Sequence, residues 1–335
     1  MVDPRVTVVV PVYNAMPYLV ELMDSLVRQD LPPASFQVIA VDDGSTDQSA
    51  AVLDDYAGRH ANITVIHQLN SGAPGAPRNA GLRAATGTYV FFADGDDILG
   101  TEALRRLVEF ADAHNSDVVI PRLTPLGKRG LPSAVYKKTL VDVDLLTAFR
   151  TMFSQKLYRR QRLVEHGVAF PEGRRQLEDG VFNSQAFVHA KRISILTGYD
   201  FYFLRARDDG KNLSLEEPDP AVYTSAITTI CRNVREHLDT ETASAVIADL
   251  YCRKCLNRYH RGRLSTYDED TRTEWVAAHR AFAQEFISDA MEQTLESPFR
   301  ERSALLRRGD VAGLVAMGEA ELRDKLRLKA ERASV

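Results

Sequence analysis

The chain has 335 residues, 44% hydrophobic and 26% charged, an ordinary globular composition with ample material for a core. Its 42 Lys and Arg are outnumbered by 46 Asp and Glu, and the net charge of -4 argues against nucleic acid as the main partner. The cysteines, Cys231, Cys252 and Cys255, are too few and too bunched for a disulfide framework and fit a reducing cytoplasm.

In chain order, Met1 to Arg5 lacks a basic stretch leading into a long apolar run, so no signal peptide is expected. Val6 to Val12 falls far short of the ~20 residues a membrane-spanning helix needs, so any membrane contact would be peripheral, at the inner face of the plasma membrane. Val6-Thr7-Val8-Val9-Val10 reads as a strand buried on both faces. Apolar residues at Leu19, Leu22, Met23, Leu26 and Val27 predict a helix over 17–28. Strands follow at 37–41, 63–67, 89–93 and 117–120, with helices after Ser45-Thr46-Asp47, which can cap one, within 75–85 and over 101–113. This alternation predicts an α/β fold with a mostly parallel sheet covered by helices. From Pro121 to about Pro218 short mixed elements are expected, with a helix running from Gln176 to Ala190. The rest reads as helical, near 242–259, 271–295 and 319–330, with a Ser297-Pro298 break. The boundaries are therefore 1–218, divided at 120, and 219–335.

Polar clusters sit where strands end: Tyr13-Asn14, Asp42-Asp43-Gly44-Ser45 and Asp94-Gly95-Asp96-Asp97. In an open α/β sheet the ligand crevice lies outside the carboxyl ends of the strands. Asp94 and Asp96 together can hold one hard cation, Mn²⁺ or Mg²⁺, which would also bind diphosphate oxygens; a solvated turn is the competing reading. An Asp42 or Asp43 carboxylate can accept the imide N–H of uracil, and Gly44 permits a sharp turn. Tyr13 can stack on a base or simply pack. Arg78 can pair with a phosphate, pair with Asp94, or cap a helix. Asp179, beside Glu178, is the candidate general base for a hydroxyl attacking an anomeric carbon; helix-dipole stabilisation alone also explains the two acids. Being adjacent, they are poorly placed to flank a sugar as a hydrolytic pair must.

Val10-Pro11-Val12-Tyr13-Asn14, Val41 to Asp47, Asn70-Ser71-Gly72 with Pro77-Arg78-Asn79-Ala80-Gly81, and Ala93 to Asp97 together resemble family 2 glycosyltransferases of the GT-A fold. The resemblance implies a donor site of Pro11, Tyr13, Asp43, Asn70, Arg78 and Asp94, a metal at Asp96 with Asp94, and a catalytic base at Glu178-Asp179. It also implies inversion, an α-linked UDP-sugar becoming a β-glycoside. A narrower likeness, over residues 1 to about 215, adds Ser116 to Ile120, Leu177 to Asp179 and Arg207 to Asn212. These are similar to wall teichoic acid glycosyltransferases, which place N-acetylglucosamine on poly(ribitol phosphate). UDP-GlcNAc is therefore the favoured donor.

Further on, Lys254, Arg258 and Arg261 have the i, i+4, i+7 spacing of one helical face, with Ile247, Tyr251, Cys255 and Tyr259 on the neighbouring, core-facing side. With Arg207 they are the candidates for contact with an anionic polyol-phosphate or other glycan acceptor; an ordinary solvated face is the alternative. Cys252 and Cys255 with His260 make half a zinc site lacking its second ligand pair, so zinc is not expected. The helical tail is open to self-assembly, acceptor binding or membrane contact. Competing functions are transfer to another glycan, such as capsule, exopolysaccharide or a lipid-linked acceptor, or a catalytically dead domain that binds glycan or polyphosphate. A nucleotidyltransferase, a Rossmann dehydrogenase and an NTPase are disfavoured because Pro11-Val12-Tyr13-Asn14 stands where a Gly-rich loop would be.

Overall fold

The structure, a computed structural model, describes residues 4–127, 133–173, 176–210, 212 and 216–333. Lys211, within the 207–212 motif, lies outside them. The chain divides into two compact units, 1–216 and 217–335.

Among the described residues, the first unit is built on ten strands: β1 (Val6–Val12), β2 (Phe36–Asp42), β3 (Ile63–His67), β4 (Tyr89–Phe92), β5 (Ile98–Leu99), β6 (Val118–Pro121), β7 (Leu123–Leu126), β8 (Leu157–Arg159), β9 (Ile193–Leu196) and β10 (Tyr202–Arg205). Seven form one sheet in the order β3-β2-β1-β4-β8-β6-β9, and β5-β10-β7 form a second. In the large sheet only β8 runs antiparallel, to both β4 and β6. The helices are α1 (Leu19–Val27), α2 (Ser49–Arg59), α3 (Gly75–Ala84), α4 (Ala103–His114), α5 (Leu145–Phe149), α6 (Arg160–Glu165) and α7 (Glu178–His189). The expected strands and helices before residue 121 are present, with boundaries shifted by a residue or two and the short β5 in addition.

Burial on both faces of β1 has a direct cause. Val6, Val8, Val10 and Val12 join Leu19, Leu22, Leu26, Leu104 and Leu107 in one core, placing α1 and α4 on that face. Val9 points the other way and meets α3, because successive strand side chains alternate faces. A Cβ at Gly81 would overlap Val9 Cγ1, so glycine is what lets α3 lie against β1. On the same face as α3, Phe92 packs edge-on against Phe170 and Phe182 at 5.0 and 5.3 Å.

Of the two expected caps, Asp47 serves α2: its Oδ1 accepts from the amide of Ser49, the first residue of the helix, at 2.9 Å. α2 begins at Ser49 with no capping side chain on its N-cap Gln48. Ser45 Oγ instead accepts from the Asn14 amide, and Asn14 Oδ1 accepts from the amides of Thr46 and Asp47. The polar residues ending β1 and β2 thus hold each other. Gly44, at φ +72°, makes the turn between them; a Cβ there would come within 2.8 Å of the Asn70 amide nitrogen.

The second unit is helical: α8 (Pro220–His237), α9 (Thr240–Leu250), α10 (Glu269–Phe286), α11 (Asp289–Gln293), α12 (Phe299–Arg308) and α13 (Val311–Ala333). Asp219, Asp239, Asp268 and Ser288 cap four of them through their side chains. Three expectations need correction. The helix drawn over 242–259 ends at Leu250 and continues as a π turn (Tyr251–Cys255) and a 3₁₀ turn (Leu256–Tyr259). The helix drawn over 271–295 breaks at Ile287 and Ser288, where Ser288 starts a new one. The last helix begins at Val311 rather than 319. No described helix is long and apolar enough to cross a membrane.

The close approach of α3 to β1 is tested by Gly81→Ala. The added methyl should force the helix outward and destabilise the chain by about 1–3 kcal/mol, read as a lower urea midpoint; an unchanged midpoint would contradict this packing.

Candidate functional site

The centre of the site is Arg78, which α3 carries and which is 3% exposed. Its Nη2 donates to Asp94 Oδ1 at 2.8 Å. Its Nη1 donates to Asp179 Oδ1 at 2.8 Å and to Glu178 Oε1 at 3.1 Å. One guanidinium therefore joins the acid ending β4 to both acids opening α7. Of the readings left open for Arg78, pairing with Asp94 is the one observed, and pairing with the two α7 acids was not anticipated. Burial alone would lower the guanidinium, but Asp179, Asp94 and Glu178 hold it above its ordinary value. Arg78 also lies 5.1 Å over the Phe170 ring.

The paired acids are strained electrostatically. Burial and the neighbouring Asp179 push Glu178 up to about 7, with Arg78 pulling the other way. Burial also raises Asp179, opposed by Arg78 and assisted by Asp94. Asp179 Oδ2 accepts from the Ser154 amide at 3.1 Å, which fixes its orientation.

Asp94 is held on all sides: Gln155 Nε2 donates to Oδ2 at 2.7 Å, and its amide donates to Tyr202 Oη at 2.8 Å. Asp96 is half-exposed; Asn212 Nδ2 lies 3.4 Å from its Oδ2, and its carbonyl accepts from Arg205 Nε. Asp97 is buried beneath them and accepts from Tyr202 Oη and the Arg205 amide at 2.8 and 2.7 Å. Burial, then Asp96 and Asp94, raises Asp97 well above the ordinary carboxylate range. Excess negative charge is thus concentrated where a hard cation would relieve it. Among the described residues no three His, Cys, Asp or Glu side chains converge as a ligand set. The acids present fit a Mn²⁺ or Mg²⁺ that keeps water or substrate phosphate on its other positions.

On the nucleotide side, Pro11 lies in β1 and Tyr13, just past it, is 50% exposed. Asp43 is 4% exposed and occupied: it accepts from Gln68 Nε2 at 2.6 Å and from the amide and hydroxyl of Ser71. It anchors the 68–71 loop as well as lying at the strand end. Asn70 is exposed, its Oδ1 accepting from Gly72 N.

The proposed acceptor residues divide. Arg207 belongs to the first unit, pairs with Asp209 and stacks 5.1 Å over Tyr18. Lys254, Arg258 and Arg261 belong to the second and do not share a helical face. The π turn carries Lys254 out of register, and Arg261 stands beyond the last turn at φ +52°. Arg258 is 8% exposed, lies 3.8 Å over Trp275 and 4.7 Å over Tyr223, and pairs with Glu217. A constant 3.6-residue period cannot register the extra residue of a π turn. Ile247, Tyr251, Cys255 and Tyr259 do face the core.

Four residues were missed by motif reading: Ser154, Gln155, Lys156 and Tyr202. Three are consecutive and lie just before β8, and Tyr202 opens β10, so no cluster at a strand's end marks them. Lys156 is 1% exposed, donates from Nζ to the Phe153 carbonyl and is drawn down by burial to about 7. A cavity of about 560 Å³ lined by Ser25, Arg28, Gly100 and Tyr199 contains none of these residues.

Residues 7–169 match the family model for glycosyl transferase family 2, and residues 220–318 match the glycosyl transferase TarS linker domain. The chain is 32% identical over 315 residues to a poly(ribitol-phosphate) beta-glucosyltransferase of Bacillus spizizenii, covering 92% of this chain and 49% of that protein. It is 37% identical over 213 residues to the poly(ribitol-phosphate) beta-N-acetylglucosaminyltransferase TarS of Staphylococcus aureus, covering 63% and 37%. A crystal structure of S. aureus TarS 1–349 in complex with UDP-GlcNAc matches with TM-score 0.87 and 28% identity, over 96% of this chain and 92% of that one. The chain spans half or less of the length of these two curated relatives.

Lys156 yields a test of the site's interior. Its folded pKa lies below the ordinary lysine value, so the unfolded chain binds more protons between the two, and stability rises with pH across that window. Lys156→Met should therefore stabilise the protein more at pH 6 than at pH 9 in thermal unfolding. A gain that grew with pH would contradict the burial of this ammonium.

Proposed function

The chain belongs to glycosyl transferase family 2 through its first unit, and on that premise we propose an inverting transfer of a sugar from a UDP-sugar to a polymer hydroxyl. The favoured donor is UDP-GlcNAc, and the favoured acceptor an anionic polyol phosphate of the teichoic acid type. The product is a β-glycoside. The observation that carries this reading is the Arg78 bridge, which puts an acid from the second half of the unit, Asp179, beside the strand-end acid Asp94. Named relatives that act on poly(ribitol phosphate) and a TarS complex with UDP-GlcNAc favour the acceptor and donor.

In the proposed reaction Asp179 takes the proton of the acceptor hydroxyl as its oxygen bonds the anomeric carbon. The bond from that carbon to the diphosphate oxygen breaks on the opposite side, and UDP leaves with the electron pair. Burial suits Asp179 to this work by making its carboxylate more basic than a solvated one, while Arg78 and the Ser154 amide hold it in place. Glu178 shares Arg78 with the base. Asp96, with Asp94 behind it, is the proposed metal site; Asp94 already serves Arg78 and Gln155, which leaves Asp96 the better ligand. A Mn²⁺ or Mg²⁺ bound there would supply charge neutralisation to the departing diphosphate. Pro11, Tyr13, Asp43 and Asn70 are proposed to receive the uridine.

Asp179→Asn should lower transfer by at least ~10²-fold while UDP-sugar affinity by calorimetry changes only a few-fold; retention of most turnover would remove Asp179 from this role. Separately, EDTA should stop UDP release and Mn²⁺ restore it, with Asp96→Asn needing more Mn²⁺ for half-maximal rate. Full activity in chelator would refute the metal.

A further inference from the structure

We propose that Gln155 is a positioning residue: through the Asp94 carboxylate it sets how the enzyme grips the sugar of its nucleotide-sugar donor. The inference rests on the transferase reading above and adds to it a residue outside every motif.

Gln155 is 2% exposed. Its Nε2 donates to Asp94 Oδ2 at 2.7 Å. Its Oε1 is equally enclosed and meets no donor among the described residues. An ionised carboxylate only accepts, so the amide must turn its NH₂ towards Asp94 and leave its oxygen unpaired. A buried amide oxygen without a partner costs free energy that an apolar side chain of the same length would not. For the fold alone, methionine would serve this position better. What the glutamine adds is the hold on Asp94.

That hold completes a clamp. Arg78 Nη2 takes Asp94 Oδ1, Gln155 Nε2 takes Oδ2, and the Asp94 amide is tied to Tyr202 Oη. With one donor on each oxygen the carboxylate plane is fixed. With Arg78 alone it turns about the bond to its β-carbon, and the acceptor lone pairs offered to sugar hydroxyls swing with it. Gln155 also follows directly on Ser154, whose amide holds Asp179. One short segment entering β8 therefore aligns the donor-side acid and the candidate base together.

The test compares UDP with UDP-GlcNAc, in Mn²⁺ buffer, by calorimetry and kinetics on the full chain. In Gln155→Met the affinity for UDP should stay within twofold of wild type. Affinity for UDP-GlcNAc should fall towards that for UDP, and kcat/KM should drop roughly 10–100-fold, as expected for a misaligned group. In an Asp94→Asn background the same change should cost almost nothing further, because its route runs through Asp94. Gln155→Leu likewise removes the donor to Asp94 and should lose sugar affinity in the same way; it serves if the methionine variant does not fold. The proposal is overturned by near-wild-type UDP-GlcNAc affinity and turnover in these variants. Equal losses for UDP and UDP-GlcNAc, or a penalty that adds in full to Asp94→Asn, also overturn it. Binding is read without turnover, so a wild-type chain that binds UDP-GlcNAc more tightly than UDP yet transfers nothing refutes the transferase reading alone.

Discussion

A guanidinium enclosed by protein, with three carboxylates around it, is the constraint on which the first unit turns. A buried cation is tolerated only where opposite charge and hydrogen bonds replace water. Arg78 meets this condition through Asp94, Glu178 and Asp179, and it opposes the upward pull of burial on the two α7 acids. Changing any one of the four alters the partners of the rest, because the three acids share one guanidinium. The arrangement therefore behaves as one unit, and its geometry is inherited from α3, which Gly81 seats against β1.

Around this centre the loops are tied to one another rather than to solvent. Asn14 holds the backbone of Thr46 and Asp47, Ser45 returns the bond to Asn14, and Asp43 gathers Gln68 and Ser71. The crevice edge is thus a chain of hydrogen bonds running from β1 through β2 to the loop after β3. Preorganisation of this kind lets a site meet a charged ligand with little reordering.

Much of this was legible in the sequence because it is locally encoded. Runs of β-branched residues announce buried strands, and polar clusters at their ends mark the crevice, so Asp94, Asp96 and Asp43, and the Glu178-Asp179 pair at a helix start, could be named from position together with the family resemblance. What stayed hidden depends on tertiary placement. Gln155 and Tyr202 are ordinary residues until the fold brings them to Asp94, 61 and 108 positions away. Helical periodicity misjudged Arg258 for a different reason: a π turn breaks the period, and a guanidinium laid flat on Trp275 packs as an aromatic plate does. Arg78 was read as one of several pairings; that it serves three acids at once could not be seen before α7 was placed.

The strand order also bears on how such a unit can be taken apart. In the sheet, β4 and β6 do not touch; β8, which begins only at Leu157, fills the space between them. Residues 1–120 alone would leave the β4 edge open and β6 without its neighbour. The segments before and after residue 120 are therefore not interchangeable cassettes. A chimaera cut near residue 120 would have to bring its own matching β8, and with it the residues just before that strand. Recombination inside the first unit is resisted by its strand order.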